Sequence, residues 1–162
     1  MLSSSRDAGS LPEEGGAYVL VLRHRGRTRT IGVGALGAVR WRPGYYCYVG
    51  SARSGLRARV ERHLRRTRKR THWHVDHVSR RMDAVGVYVW AGEAASECAL
   101  SRAVGRAADR TIARFGSSDC HCEGHLHYFA AHPEQALEVL GSSVGGLRLA
   151  WKRLERGRKR PS

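Results

Sequence analysis

Short apolar runs alternate with arginine- and glycine-rich stretches along most of this chain. The first, Ala17–Leu22 (AYVLVL), opens after Gly16 and predicts a strand. The polar turn RHRGR that follows predicts a hairpin return through Thr30–Val33. Ala38–Arg42 alternates apolar and basic positions, so it reads as a third strand, ended by Pro43-Gly44. Tyr45–Val49 is an aromatic run of strand character, expected to turn through Gly50-Ser51-Ala52. After Gly55 the period changes. Leu56, Val60 and Leu64 recur every four residues, which predicts a helix with an apolar seam for burial. Arg59 and His63 share that spacing and fall together on a neighbouring stripe.

Further on, Thr71–Arg81 predicts a short histidine-rich helix, alone or after a loop, and Ala84–Trp90 a central strand. Glu93–Phe115 reads as one long helix with small residues on its packing face. Gly116–Phe129 is too rich in Gly, Ser and Cys for a helix, and its end, Leu126–Phe129, suits a last strand. From Pro133, placed at a first helical turn, the pattern is helical until Gly145-Gly146. Residues 1–14 have the composition of a disordered leader. No internal repeat is visible. The order is β-hairpin, β, β, α, β, α and a cysteine-rich loop, which predicts a small α+β domain. It is expected over residues 15–130, with a helical extension and basic tail over 131–162.

Charge narrows the function. The 162 residues carry a formal net charge of +15, and of the 29 Lys and Arg only Lys69, Lys152 and Lys159 are lysines. Arginine favours planar, bidentate contacts with phosphate over loose point-charge attraction. Nucleic acid is therefore the expected partner, against the plainer readings of a basic proteome or an anionic membrane surface. Between Arg53 and Arg70 nine Lys and Arg face one acid, Glu61. Arg53, Arg57, Arg62 and Arg66, with His72 and His74 beyond them, are the candidate nucleic-acid contacts. No secretory or membrane segment is visible. The expectation is a soluble cytoplasmic protein whose four cysteines are reduced.

Three segments carry a resemblance: GYYCYVGSA (Gly44–Ala52), HWHVD (His72–Asp76) and SSDCHCEGHL (Ser117–Leu126). With Gly16-Ala17-Tyr18 as a first half-motif and Tyr48-Val49-Gly50 as the second, followed by Arg59 and His63, the chain resembles the GIY-YIG nucleases. The likeness is greatest to their compact prokaryotic branch of Uri-type endonucleases, and it runs from about Gly16 to Phe129. It implies a central, mainly antiparallel sheet flanked by helices. Tyr18 and Tyr48 stand thirty residues apart, more than the family pattern, which implies a hairpin inserted between the motifs and leaves Gly44-Tyr45-Tyr46 as a rival first half. The resemblance also implies a metal-binding Glu on the helix after the third strand. A strict count falls on Arg102 or Val104, neither able to bind a metal, so the role passes to Glu97, with Glu93 the alternative.

The expected activity is metal-dependent hydrolysis of phosphodiester bonds in DNA or a related nucleic acid. Arg59 would hold a non-bridging oxygen, and Glu97 would bind Mg²⁺ or Mn²⁺ beside the leaving oxygen. Tyr48 or Tyr18 would take the proton from water. A free phenol titrates near 10, and the arginine field is expected to depress that value. His63 would accept or orient the phenol proton. The alternative is a nucleic-acid-binding module that keeps the scaffold without catalysis. The bland readings are core tyrosines, a solvated arginine face and a surface histidine.

His72, His74, Asp76 and His77 either touch a phosphate or brace the helix. Cys120-x-Cys122-x2-His125, completed by Cys98, has the makings of a Cys₃His zinc site, while Cys47 reads as core. A third reading is accordingly a structural zinc protein with basic surfaces.

Overall fold

A computed structural model of the chain describes residues 13–64, 74–79, 81–92, 96–117, 120–143 and 152–153. Its elements are β1 (Glu14–His24), β2 (Arg29–Gly32), β3 (Ala38–Trp41), β4 (Gly44–Ser54), α1 (Leu56–Leu64), α2 (His74–Ser79), β5 (Asp83–Ala91), α3 (Glu97–Ala107), β6 (Arg110–Ile112), β7 (Leu126–Phe129), α4 (Glu134–Ser143) and β8 (Lys152–Arg153). Six strands form one antiparallel sheet in the order β6-β7-β4-β1-β5-β8, and β2 and β3 form a separate two-stranded sheet. The fold is α+β.

β1 lies near the middle of the sheet, and its run Ala17–Leu22 is buried throughout. A continuous apolar run is what a strand covered on both faces requires. Alternation along the strand then sorts the side chains. Tyr18, Leu20 and Leu22 pack with Tyr46, Tyr48, Leu56 and Val60, on the face covered by α1 and the β2–β3 hairpin. Ala17, Val19 and Val21 pack with Cys47, Val49, Leu100, Val104 and Leu137, on the face covered by α3 and α4. Cys47 is core, as its place in the aromatic strand implies.

Five features differ from the sequence reading, one of them β8, which pairs with β5 within the stretch 131–162 read as a helical extension with a basic tail. The strand begins at Glu14, inside the stretch read as leader, while residues 1–12 lie outside those described. The return strand β2 pairs with β3 and not with β1, because both edges of β1 are already taken by β4 and β5. This hairpin occupies the interval between the two tyrosine motifs. β4 does not turn at Gly50-Ser51-Ala52 but stays paired with β1 as far as Glu14↔Ser54. Gly15 allows this: a Cβ there would run into the backbone of Arg53. The turn comes at Gly55, whose φ of +69° suits glycine.

The fifth difference is the long helix read over Glu93–Phe115. The helix ends at Ala107, and Arg110–Ile112 becomes β6 against β7. Asp109 makes the corner, its N–H donating to the Tyr128 carbonyl (2.9 Å) and its carboxylate accepting from Ala130 N–H (2.8 Å). Tertiary pairing of the β-branched Thr111 and Ile112 overrides a local pattern that tolerates helix. No helix among the described residues is long and apolar enough to cross a membrane.

Candidate active site

α1 starts directly after the Gly55 turn, and Leu56 and Val60 anchor it on the sheet; the Leu64 side chain lies outside those described. One turn beyond Arg59, His63 is carried into the interior at 2% exposure. There its Nε2 lies 2.6 Å from the Tyr18 hydroxyl. The Tyr18, Tyr48 and His63 rings form a triangle, with centroids 6.3, 5.6 and 5.8 Å apart. Strand register sets this up: Tyr18 sits opposite Gly50, and a Cβ on Gly50 would collide with the phenol. The glycine of the second motif is thus the floor under the tyrosine of the first. Gly116, at φ +66°, plays the same part for Tyr48; a Cβ there would lie 3.2 Å from the ring. The rival Tyr46 is elsewhere, its hydroxyl donating to the Arg42 carbonyl (3.0 Å) and accepting from Arg42 N–H (2.8 Å).

Burial dominates the acidity of both phenols. It pushes Tyr18 and Tyr48 well above the usual phenol value, and the charge of Arg59 only partly offsets it. The expectation that the arginine field depresses them is therefore corrected. An arginine close enough to be felt is weaker than the loss of water around a phenol in the core.

Glu97 reaches the same neighbourhood from the other face of the sheet. Ser96 caps α3, its hydroxyl accepting from Ala99 N–H (3.0 Å), and Glu97 follows in the first turn, where a negative charge is favoured. Its Oε1 lies 2.8 Å from His125 Nδ1, and its Oε2 accepts from the Ser51 hydroxyl at 2.5 Å. Burial would raise its pKa, but the bonds from His125 and Ser51 and the charge of Arg59 outweigh that and hold it below the usual carboxylate value. The charges of Glu97 and Arg59 both act on Tyr18 and Tyr48. So Tyr18, Tyr48, Arg59, His63 and Glu97 form one electrostatic neighbourhood, assembled from β1, β4, α1 and α3. Of the alternatives for Glu97, Val104 is core, Arg102 is exposed, and Glu93 lies outside the described residues.

The candidate nucleic-acid contacts divide. Arg53 is exposed, and Arg57 lies 3.4 Å from the carboxylate of Glu13. Arg62 instead makes a two-pronged bond to the fully buried Asp76, at 2.9 and 3.1 Å, so it braces α1 against α2. His74 accepts from Gly116 N–H (3.1 Å) and packs edge-on to Phe115. The bracing side of the alternative for His74 and Asp76 is what the geometry supports. Arg66 and His72 lie outside the described residues.

Cys98, Cys120, Cys122 and His125 converge, with one ligand atom of each within 4.8 Å of the others, so the cluster could bind a metal ion. His125 N–H donates to the Phe115 carbonyl (2.7 Å), and its own carbonyl accepts from Val49 N–H (2.9 Å), which ties the cysteine loop to β4. Burial pulls His125 down, but Glu97 and Cys122 outweigh it and lift its pKa to about 9. Two functional neighbours were not singled out in the sequence: Ser51, and His125 as the partner of Glu97. Ser51 was hidden by reading its segment as a turn. On a strand, its alternation with Val49 and Cys47 assigns it to the α3 face.

A family model described as a domain of unknown function, DUF123, matches residues 17–146. No curated protein and no solved structure matches the chain.

Proposed function

The chain belongs to the DUF123 family, and we propose that it is a metal-dependent endonuclease of the GIY-YIG kind, hydrolysing phosphodiester bonds in DNA or a related nucleic acid. One observation carries the reading: a buried Tyr18–His63 hydrogen bond of 2.6 Å set beside Tyr48, within the field of Arg59 and Glu97. A buried phenol needs some hydrogen-bond partner; that the partner is an imidazole, with the charges of Arg59 and Glu97 acting on both phenols, favours a site over packing alone.

The raised phenol acidity determines how the proton moves. A stable phenolate is disfavoured, so Tyr18 works as a relay: it takes a proton from the attacking water as its own passes to His63 Nε2. The water oxygen then bonds to phosphorus, and the bond to the 3′ oxygen breaks. Arg59 holds the developing negative charge on a non-bridging oxygen. Glu97 is ionised and its side chain is 30% exposed, which suits a hard cation that keeps several waters, such as Mg²⁺ or Mn²⁺. Bound there, the ion would supply charge neutralisation for the leaving oxygen. The sulfur-rich cluster beside it is too soft for that role and would be a separate place of binding.

The second reading, binding without cutting, is favoured by a specific observation: both oxygens of Glu97 already accept hydrogen bonds, from His125 and Ser51. Cleavage of supercoiled plasmid and single-stranded DNA with Mg²⁺ or Mn²⁺ separates the two. The nuclease reading expects metal-dependent cutting that falls by about 10²–10³-fold in Arg59→Ala, and a comparable loss in Glu97→Gln. Binding with no cutting by the wild type would favour the module. Undiminished cutting by both variants would overturn the site.

A further inference from the structure

The cysteine loop has more organisation than a nuclease site of Tyr, Arg, His and Glu requires. Between β6 and β7 the described residues are 113–117 and 120–125, and two of them take an uncommon backbone shape. Arg114 takes a φ of +61° and Gly116 of +66°, Arg114 N–H donates to the Glu123 carbonyl (2.6 Å), and a Cβ on Gly124 would collide with the Ile112 carbonyl. The effect is to turn Cys120, Cys122 and His125 toward Cys98 on α3. Cys120 Sγ lies 3.4 Å from His125 Nε2, while His125 Nδ1 faces Glu97. The four cysteines are free thiols, so no disulfide explains the clustering.

We infer that Cys98, Cys120, Cys122 and His125 bind one zinc ion, and that Glu97 holds His125 so that the ion and the active-site carboxylate position one another. The role given to the carboxylate rests on the nuclease reading; the zinc site does not. Three thiolates and an imidazole are the donors zinc takes in closed tetrahedral sites. With Zn–S bonds of about 2.3 Å, neighbouring ligands in a tetrahedron stand roughly 3.8 Å apart. The observed spread of up to 4.8 Å is then closed by movements of about an ångström, within reach of cysteine rotamers.

The histidine decides which way the site is wired. Only Nε2 faces the sulfurs, so Nε2 is the ligand, and Nδ1–H donates to Glu97 Oε1 at 2.8 Å. A metal-bound imidazole whose other nitrogen donates to a carboxylate is the arrangement that fixes tautomer and ring orientation and strengthens the ligand. Here the carboxylate doing so is the one whose charge acts on Tyr18 and Tyr48. Ser51 holds the other oxygen, from β4. The ion therefore ties α3, the cysteine loop and β4 together at the point where Glu97 must be aimed, and Glu97 is a positioning residue for zinc.

The test uses the full chain and the metal alone. Protein purified without chelator should contain about one zinc per chain. Cobalt replacing it should give thiolate-to-metal charge-transfer absorption and tetrahedral ligand-field bands. Wild type that takes up neither zinc nor cobalt stoichiometrically, or that shows a Cys–Cys disulfide under reducing-cytoplasm conditions, overturns the site. That result does not depend on whether Cys98→Ser or Cys122→Ser, which should each lose the ion, can fold. For the coupling, zinc affinity is measured by chelator competition in Glu97→Gln, with folding followed by circular dichroism. A 10–100-fold weakening in a folded protein is expected; an unchanged affinity would overturn the coupling. Cleavage by Glu97→Gln at saturating zinc keeps the two readings apart. Restored cutting would mean that Glu97 acts only through zinc, removing it as the Mg²⁺ ligand while the zinc site stands. Lost cutting with zinc bound supports Glu97 as the Mg²⁺ ligand.

Discussion

On the α1 face of the central sheet, Tyr18 and Tyr48 are polar groups kept neutral by burial; on the α3 face, Glu97 is a charge kept ionised by its partners. Both sites lie close to Arg59, and its positive charge pulls every one of these groups toward its ionised form. The outcomes still differ in sign. On the first face the loss of water outweighs the arginine, and the phenols rise. On the second, a hydroxyl and an imidazole replace the lost water, and the carboxylate falls. Arg59 is thus a weaker determinant than burial on one face and than hydrogen bonds made to the ionised form on the other.

The largest expected break in this contrast is Tyr18→Phe, which removes the relay and leaves the Glu97 side untouched. Cleavage should fall by about 10²–10⁴-fold, read in single-turnover assays, with zinc content unchanged. Next is Arg62→Ala. It strips the fork from a carboxylate buried completely, and loss of one partner of such a pair costs about 3–5 kcal/mol. Urea unfolding should show it; a change below about 1 kcal/mol would mean that Asp76 is not braced by this pair.

Alkaline pH probes the dry side directly. Tyr18, Tyr48 and Cys47 are all raised by burial, and Tyr46 is raised by it to about 12. Groups whose folded values lie above their unfolded ones contribute stability that is complete below the unfolded values, near 9–10, and is lost as pH rises through the folded values. Stability should therefore hold up to about pH 9 and drop by several kcal/mol toward pH 12, measured by denaturant titration across the range. A flat profile would mean that burial does not control these groups. Gly50→Ala should cost about 1–3 kcal/mol by forcing the Tyr18 ring aside, and it should lower cleavage as well. The smallest effect belongs to Ser51→Ala, about 1 kcal/mol for one hydrogen bond, with the carboxylate of Glu97 shifting upward because only His125 and Arg59 then oppose burial.

How much of this was legible in the sequence follows from what each signal depends on. The strand at Ala17–Leu22 was legible as a continuous apolar run and the helix at Leu56–Leu64 from its four-residue period, and the burial of Ala17–Leu22, Leu56 and Val60 accounts for both signals. The grouping of Tyr18, Tyr48, Arg59, His63 and Glu97 rested on resemblance; β1, β4 and α1 set the Tyr18, Tyr48 and His63 rings together, and Arg59 and Glu97 act on the phenols through their charges. The end of α3 was not legible, because Arg110–Ile112 becomes a strand only when β7 is beside it, sixteen residues on for Thr111 and His127. Ser51 was missed because Gly50-Ser51-Ala52 has turn composition, and only Gly15 on the partner strand lets pairing continue through it. The acidity of the phenols was misjudged for a similar reason: charge can be counted along a chain, but burial belongs to the fold.

The account stands most directly on whether Tyr18 and His63 act as one unit in cutting DNA. Single-turnover cleavage by the wild type, Tyr18→Phe, His63→Ala and the double variant, each confirmed folded, measures this. If the pair is a relay, either single change should cost nearly as much as both, so the double variant should be no slower than the worse single. Losses that simply multiply, or variants that cut at the wild-type rate, would contradict it.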